Sequence, residues 1–214
     1  IEEPVAALMG AGIDISEAKG RMVVDIGGGT TDIAVMSMNG IVAKNSVKLA
    51  GNKIDAAIIK YVQNKYRILI GERTAENAKI TLAQVYAPDG SREMTVKGRN
   101  LVTGLPAQIK LTDYDIYKAI IDIANELVDA VKGVLEITPP ELAGDIHSNG
   151  IILTGGGALI GGIDKLIESE TKIHTYSADD PLRCVARGTS LAFSHIDTLL
   201  DGFEKISLYG YSEI

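Results

Sequence analysis

Two runs of three glycines, each placed directly after an apolar stretch, constrain this chain more than any other feature. "VVDIGGGTT" covers residues 23–31, and "IILTGGGAL" covers residues 151–159. Short apolar runs bounded by turn residues predict buried strands. Glycine lets the backbone approach a ligand closely, and consecutive N–H groups in such turns attract phosphate oxygens. One such turn is more often only a turn, but two together favour a ligand site.

The two glycine turns lead into different elements. Residues 155–157 are predicted to open a helix running to about Ser169, and the dipole of its N-terminus favours an anionic group. Residues 27–29 run into a second strand, so they form a hairpin tip beside two threonine hydroxyls. Asp32 and Ile160 occupy the last glycine position of G-x-G-x-x-G, which excludes a dinucleotide fingerprint, and no P-loop motif occurs.

Asp25 ends the first apolar run, at a position where valine is more usual in a structural strand. A carboxylate buried there is costly unless it is paired or lies near a cation, so a Mg²⁺ ion held through water is one interpretation. A hairpin aspartate that accepts hydrogen bonds from backbone N–H groups agrees with the sequence equally well.

The order of the remaining elements predicts an α/β fold with helices packed on a sheet. Three antiparallel strands are predicted to form a meander, and a hairpin is predicted within residues 88–111. Thr112 or Asp113 can cap a long helix that Pro139-Pro140 ends. The predicted helices cover residues 3–11, 53–66, 72–85, 113–138, 158–169 and 182–199. The predicted strands cover residues 22–26, 33–38, 41–49, 92–98, 106–112, 150–154 and 172–177.

Composition excludes several classes of protein. The 214 residues carry a formal charge of −7, so the chain lacks the basic face that a nucleic-acid partner requires. The single cysteine, Cys184, excludes an internal disulfide and favours a reducing, cytoplasmic compartment. The three histidines are widely spaced, so a zinc site is not expected. No apolar run reaches the roughly 20 residues of a membrane-spanning helix.

Five segments in a fixed order carry a resemblance to a known family. They are Glu3-Pro4, "DIGGGTTDIAV", "GERTAENAK", "TPPEL" and "GIILTGGGALIGGIDKL". Together they resemble MreB, the bacterial actin-like proteins, over essentially all of the chain. The matched region corresponds to the second half of that family's sequence. Since the chain opens on Ile1, we expect a piece whose N-terminal domain, with its first phosphate loop, is absent.

The resemblance implies a role for each matching residue. Asp25 matches the acidic residue near Mg²⁺, and Glu3 and Thr30 match the residues that position the attacking water. Glu76 and Lys79 match an E-x-x-K helix that flanks the ribose and base. Without the family match, Glu3 reads as a favourable helix N-terminal acid, and the Glu76–Lys79 spacing reads as a surface ion pair. The second phosphate loop and the adenosine motif correspond to Gly27, Gly28, Gly29, Thr30, Thr31, Gly155, Gly156 and Gly157.

The resemblance also implies a fold and an activity. The fold is an actin-like ATPase domain, with a ribonuclease H-like mixed sheet and flanking helices in residues 1–70 and 112–214. Residues 71–111 form a smaller α+β subdomain. The full-length protein is expected to bind ATP or ADP with Mg²⁺, to hydrolyse ATP and to polymerise head to tail into paired protofilaments. Such filaments control cell shape at the inner face of the membrane, and this piece alone is expected to be inactive.

Two other interpretations remain open from the sequence. A Hsp70-like chaperone or a carbohydrate kinase uses the same ATP cleft. The second interpretation is an α/β domain that binds nucleotide weakly or not at all and serves as an assembly scaffold.

Overall fold

A five-stranded mixed sheet lies at the centre of the computed structural model, which describes residues 1–192. The described residues form eight strands, five in this sheet and three in a second one. They are β1 (Arg21–Ile26), β2 (Thr31–Ser37), β3 (Gly40–Val47), β4 (Ile68–Leu69), β5 (Glu93–Asn100), β6 (Pro106–Thr112), β7 (Ile151–Thr154) and β8 (Thr175–Ser177). The spatial order in the central sheet is β3-β2-β1-β7-β8, with the first three antiparallel and the last two parallel to β1. The predicted meander and α/β class are therefore confirmed.

Seven α-helices surround the strands in the described residues. They are α1 (Glu3–Gly10), α2 (Gly51–Tyr66), α3 (Glu72–Leu82), α4 (Asp113–Glu136), α5 (Pro140–Asn149), α6 (Ile163–Thr171) and α7 (Cys184–Ala192). A stripe of apolar side chains is buried along the length of α4, and Thr112 caps that helix in a reciprocal capping box with Asp115. The cap and the stripe together explain why 24 consecutive residues form one helix.

The central sheet is covered on both faces because side chains alternate along each strand. Met22, Val24 and Ile26 of β1 pack in the larger core, together with α2, α4 and α6. Val23 packs in a smaller core formed with α1. Asp25 is two residues beyond Val23, so its side chain lies on the face that α1 covers.

A second, three-stranded sheet has the order β4-β5-β6. Here β5 and β6 form the predicted hairpin, and β4 adds a short strand that the sequence did not indicate. Helix α3 precedes this hairpin, and its buried residues belong to the larger core. The boundaries at residues 71 and 111 for the smaller subdomain stay a prediction.

Besides the missed strand β4, the sequence-based assignment is wrong at two places. Residues 155–157 do not open an α-helix: Gly156–Leu159 form a 3-10 turn, and α6 begins only at Ile163. The argument from a helix dipole therefore does not apply to these glycines. Helix α5 is absent from the predicted elements, because Pro139-Pro140 resembles a stop, although Pro140 occupies the first turn of α5, where its missing N–H does no harm.

The C-terminal region begins with a 3-10 turn at Pro181–Arg183, and α7 begins at Cys184. The predicted helix up to Leu199 extends beyond the described residues. Cys184 is buried, and its Sγ donates a hydrogen bond to the carbonyl of Asp180. Among residues 1–192, none of the helices combines the length and the apolar character needed to cross a bilayer.

Candidate functional site

Asp25 lies in a row of polar side chains that crosses three strands of the central sheet. It pairs with Asp32 on β2 and with Thr154 on β7. Its Oδ1 accepts a hydrogen bond of 2.7 Å from the Thr154 hydroxyl, and the Asp25 side chain is only 2% exposed. The interpretation of a hairpin aspartate held by backbone N–H groups stays a prediction, because the hydrogen bond seen here comes from a side chain on a neighbouring strand. The row lies at the carboxyl ends of the parallel strands β1 and β7, where open α/β sheets bind ligands.

The pKa of Asp25 is raised to about 6: burial has the largest effect, the Thr154 hydrogen bond opposes it, and the nearby negative charges of Glu3 and Asp32 add to the increase. Within residues 1–192, no basic side chain is among the groups that shift this pKa. This part of the chain therefore gathers negative charge here without a cation to offset it. A divalent cation fits this arrangement chemically.

The donor set indicates how such a cation would be held. Within the described part of the chain there is no cluster of three or more His, Cys, Asp or Glu residues that could enclose a metal ion. Mg²⁺ prefers to keep several water molecules and to use one or two carboxylates. Asp25 therefore suits a Mg²⁺ ion bound through water.

The two threonines after the glycines have different surroundings. Thr30 is half-buried, and its hydroxyl donates a 3.0 Å hydrogen bond to Oδ2 of Asp32. Thr31 is fully buried, and its hydroxyl donates to the carbonyl of Leu49. Thr31 therefore joins β2 to the segment before α2, whereas Thr30 lies beside Asp32 in the row of polar side chains.

The first glycine turn is docked on the N-terminus of α2. The Gly51 N–H donates to the carbonyl of Gly27 at 3.1 Å, and the Asn52 N–H donates to the carbonyl of Gly28 at 2.8 Å. The described residues contain no cis peptide bond, so each N–H points opposite to the carbonyl of its own peptide unit. Since the carbonyls of Gly27 and Gly28 point toward α2, the N–H groups of Gly28 and Gly29 point away from it. Gly28 and Gly29 are also exposed.

Nothing inside the described fold requires glycine at position 29. A Cβ there would meet no atom within 4 Å, and the backbone φ is not positive. At Gly28 the nearest atom is Oδ1 of Asn52, at an ordinary contact distance of 3.8 Å. Space for a close ligand explains these glycines better than backbone strain does.

The second glycine turn has the opposite explanation. Gly155 has a φ of +77°, and a Cβ there would lie 2.4 Å from the carbonyl oxygen of Ile26. A Cβ at Gly157 would lie 2.1 Å from Cγ2 of Ile26. These two glycines let the turn approach β1 closely, beside Asp25. Gly156 alone of the three is exposed, so it is the one open to a ligand.

Glu76 and Lys79 lie on α3 and face α2 in different ways. Glu76 is exposed and lines a cleft of about 640 Å³ between the two helices. Lys79 instead has its ammonium inside the fold, 2.9 Å from Oδ2 of Asp55 and 3.3 Å from the carbonyl oxygen of Gly51. The cleft is lined by Asn52, Asp55, Ala56, Ile59, Glu72, Arg73 and Glu76.

Glu3 is exposed in the first turn of α1, which covers the face of the sheet that carries Asp25. Its charge acts on the Asp25 carboxylate, so the two groups belong to one acidic region. The structure therefore brings together Glu3, Asp25 and Thr30 at the first glycine turn. The side chain of Thr31 is turned into the fold.

Sequence reasoning missed three contributors to this region: Thr154, Gly51 and Asp55. Thr154 ends an apolar strand as Asp25 does, and that parallel was a usable signal. Gly51 and Asp55 gave no comparable signal, because their importance depends on the contact between α2 and both the glycine turn and α3.

Comparison with known proteins places these features in a family. The MreB/Mbl protein family profile matches residues 1–201. The cell shape-determining protein Mbl of Bacillus cereus is 50% identical over 198 residues, which are 92% of this chain and 60% of that protein. The cell shape-determining protein MreB of Escherichia coli K12 is 50% identical over 197 residues, 92% of this chain and 57% of that protein. The chain thus spans about 60% of the length of these curated relatives.

Solved structures of bacterial actin-like proteins also match this chain. MreB5 of Spiroplasma citri bound to ADP has a TM-score of 0.88 at 42% identity, covering 92% of this chain and 60% of that chain. The same protein bound to AMPPNP has the same TM-score and identity, with 92% and 59% coverage. The MamK double helical filament matches in fold alone, with a TM-score of 0.73 at 20% identity, covering 90% of this chain and 58% of that chain. The chain belongs to the MreB/Mbl family of bacterial actin-like proteins.

Proposed function

We propose that this chain is the nucleotide-binding half of an MreB-like actin that binds ATP with Mg²⁺, hydrolyses it and assembles into filaments controlling cell shape. The observation that carries the proposal is the first glycine turn. The N–H groups of Gly28 and Gly29 point outward beside the buried carboxylate of Asp25, whose charge no basic side chain among residues 1–192 offsets. The relative MreB5 has been solved with ADP and with AMPPNP at 42% identity, which supports a nucleotide as the ligand.

The phosphate groups would occupy the outward face of this turn, where the N–H groups of Gly28 and Gly29 can donate to phosphate oxygens. Asp25 would accept hydrogen bonds from the water shell of Mg²⁺, which neutralises charge on the phosphates when bound. Gly156 would border the nucleoside, and Glu76 would accept hydrogen bonds from ribose hydroxyls at the edge of the α2–α3 cleft.

Hydrolysis requires a water molecule in line with the γ-phosphate. We assign its orientation to the carboxylate of Glu3 and the hydroxyl of Thr30. The hydroxyl of Thr30 is held by Asp32 at 3.0 Å, so its direction is restricted before a ligand arrives.

Substitution of Gly29 tests the ligand site without disturbing the fold. Gly29→Ala adds a methyl group that meets nothing in the protein but occupies the approach of the phosphates. We expect the affinity of the full-length protein for Mg-ATP to fall at least about tenfold, as for the loss of one charged hydrogen bond, with unchanged unfolding in urea. Gly144→Ala is the matched control, because a Cβ there also meets no atom within 4 Å. Equal affinities for the two variants in titration calorimetry would refute the phosphate site.

Substitution of Thr30 separates hydrolysis from binding. Thr30→Ala should lower the ATP turnover of the full-length protein by about 10²-fold and leave the affinity for Mg-ATP within a few fold, because only the orientation of the water is lost. Thr30→Ser retains the hydroxyl and should restore most of the turnover. Unchanged phosphate release from the alanine variant would remove Thr30 from the mechanism.

Filament assembly is the second part of the proposal. Leu101, Val102 and Leu105, here called the hairpin tip, are 42%, 80% and 64% exposed at the end of the β5–β6 hairpin. An apolar group of this kind marks an interaction site more often than a free surface. We assign the hairpin tip to the head-to-tail contact between successive subunits.

Two further outcomes distinguish the proposal from its alternatives. The family match does not favour a Hsp70-like chaperone or a carbohydrate kinase, and sugar-stimulated turnover without pelletable polymer would support the kinase.

Association of the filament with the inner face of the membrane rests on the family resemblance alone. Flotation of polymer with vesicles of anionic lipid tests it, and polymer remaining at the bottom of the gradient would contradict it.

A further inference from the structure

Gly51 connects the first glycine turn to helix α3. Its N–H donates to the carbonyl of Gly27, and its own carbonyl accepts a 3.3 Å hydrogen bond from Nζ of Lys79. A Cβ at Gly51 would lie 3.2 Å from that same Nζ and 3.6 Å from the Gly27 oxygen. The turn, the start of α2 and the side chain of Lys79 therefore form one closely packed unit.

Lys79 and Asp55 form an ion pair that is largely removed from solvent. The Nζ–Oδ2 distance is 2.9 Å, and each side chain is 16% exposed. Water and salt screen such a pair less than an exposed one. Oδ1 of Asp55 is buried and has no hydrogen-bond partner among the described residues, so the charge of Asp55 depends on Lys79. The pair fastens α3 to the first two turns of α2.

We propose that Lys79 is a positioning residue for the phosphate-binding turn, acting through Gly51. The Lys79–Asp55 pair holds the N-terminus of α2 against the carbonyls of Gly27 and Gly28. This contact keeps the N–H groups of Gly28 and Gly29 directed outward. The role of the turn toward phosphate rests on the proposed function, whereas the support of the turn by Lys79 does not.

The contacts of Lys79 support this role. Two acceptors inside the fold already lie within 3.3 Å of its ammonium. A move of the ammonium away from Asp55 would leave that carboxylate, which is only 16% exposed, without its cationic partner. Glu76, one turn earlier on α3, is exposed and needs no such move.

Amide hydrogen exchange on the nucleotide-free full-length protein tests the support of the turn. In Lys79→Met we expect the amides of Gly51 and Asn52 to exchange at least about tenfold faster, on the scale of one charged hydrogen bond. Lys53→Met is the control. Lys53 also lies in the first turn of α2, but its ion pair with Glu126 is exposed, so these two amides should exchange at the wild-type rate. Unchanged exchange in folded Lys79→Met would overturn the proposal.

A second variant covers the case in which Lys79→Met fails to fold. Asp55→Asn/Lys79→Met removes both charges, so no unpaired charge is left in the interior. It should show the same faster exchange at Gly51 and Asn52. Wild-type exchange rates in this double variant would also overturn the proposal.

Ligand truncation separates positioning from direct contact. In the full-length protein, Lys79→Met should weaken the binding of Mg-tripolyphosphate as well as that of Mg-ATP, because both use the turn. A loss confined to Mg-ATP would mean that Lys79 touches the nucleoside, and would overturn the positioning role. If the wild-type protein binds neither ligand, the proposed function fails, while the exchange experiment still decides whether Lys79 supports the turn.

Discussion

The Asp25 carboxylate is held where its ionised form is unfavourable, with 2% exposure and with Glu3 and Asp32 nearby. A carboxyl group whose pKa is raised in the folded state stabilises that state only while it is protonated. With a folded pKa of about 6, the contribution of Asp25 is complete below about pH 4 and is lost as the pH rises through 6. Near neutral pH the ionised Asp25 carboxylate therefore lowers the stability of the nucleotide-free chain, and a cation at this site would offset that loss.

Asp25→Asn should raise the free energy of unfolding of the nucleotide-free chain at pH 7.5 by up to about 3 kcal/mol, the scale of a pKa shift of about two units. The amide oxygen can still accept the Thr154 hydroxyl. The difference from wild type should disappear below about pH 4, where both side chains are neutral. Urea unfolding at pH 4 and pH 7.5 measures both values, and a variant less stable than wild type at pH 7.5 would contradict the argument.

The sequence predicted Asp25 as a functional residue but could not predict its partner. A single acidic residue in an apolar run is visible without a structure, because its cost depends only on burial. Thr154 lies 129 residues away, and only the parallel pairing of β1 with β7 brings the two together. The ligand role of Lys79 was predicted from the family resemblance, and nothing in the sequence indicated its contacts with Asp55 and Gly51.

Helices α1 and α7 approach each other so closely that a side chain larger than hydrogen does not fit at the contact. A Cβ at Gly188 would lie 1.7 Å from the carbonyl oxygen of Ala6, and a Cβ at Gly10 would lie 1.7 Å from that of Cys184. Both obstacles are backbone atoms, which cannot rotate away as a side chain can. Since α1 carries Glu3, this contact also fixes the height of Glu3 above the sheet.

Gly188→Ala should lower the free energy of unfolding by about 2–3 kcal/mol, because the two helices must separate to admit the methyl group. Gly133→Ala is the opposite case. Gly133 lies inside α4 with nothing within 4 Å of its Cβ position, so alanine should stabilise the chain by about 0.5–1 kcal/mol. Urea unfolding of the two variants compares them directly, and equal effects would contradict the close helix contact.

The start of α4 is tied to the end of α2 by Asp115. Its carboxylate accepts hydrogen bonds from the ammonium of Lys65 and from the hydroxyls of Tyr61 and Tyr66. Burial alone would raise the pKa of Asp115, but these bonds and that from the Thr112 N–H outweigh it and lower the pKa to about 2. A lowered pKa means that the stabilisation is complete above about pH 4 and is lost as the pH falls through 2.

Asp115→Asn should cost about 2 kcal/mol of stability at pH 7, on the scale of charged hydrogen bonds. Its deficit relative to wild type should shrink between about pH 4 and pH 2, as the wild-type carboxylate is protonated. Asp122→Asn, an exposed position on the same helix, should stay within about 0.5 kcal/mol of wild type. Thermal unfolding at pH 7 and pH 3 measures the difference, and a deficit independent of pH would exclude the charge of Asp115 as the cause.

The sequence predicted a helix where that segment itself carries a cap and a regular apolar stripe, and missed it where these signals are weak. Helix α4 has both a cap and a buried stripe over 24 residues, so it was found. Helix α5 buries only Ile146 among its ten residues, and its apolar periodicity is correspondingly weak. The 3-10 turn after β7 resembled a helix start in sequence, but Gly155 and Gly157 are fixed there by close contact with Ile26 on another strand.

The hairpin tip lies at the turn between β5 and β6 of the second sheet. Its Val102 is 80% exposed, and Asn100 closes the turn by accepting hydrogen bonds from the N–H groups of Val102 and Thr103. The apolar side chains are thus not needed for the turn itself. Association of subunits would bury them, which provides a favourable free energy that the isolated chain does not gain.

Val102→Asp should therefore leave the fold intact and raise the critical concentration for ATP-dependent assembly of the full-length protein by about tenfold or more, because a carboxylate would be desolvated in each contact. Ile137→Asp is a control of similar exposure, 65%, at the C-terminus of α4. Helix α4 has 24 residues, so this position is about 36 Å along the axis from the end of α4 that adjoins the second sheet. Sedimentation across a range of protein concentrations gives both values. If Val102→Asp assembles like wild type while Ile137→Asp does not, the subunit contact lies at the opposite end of α4, and the assignment of the hairpin tip is wrong.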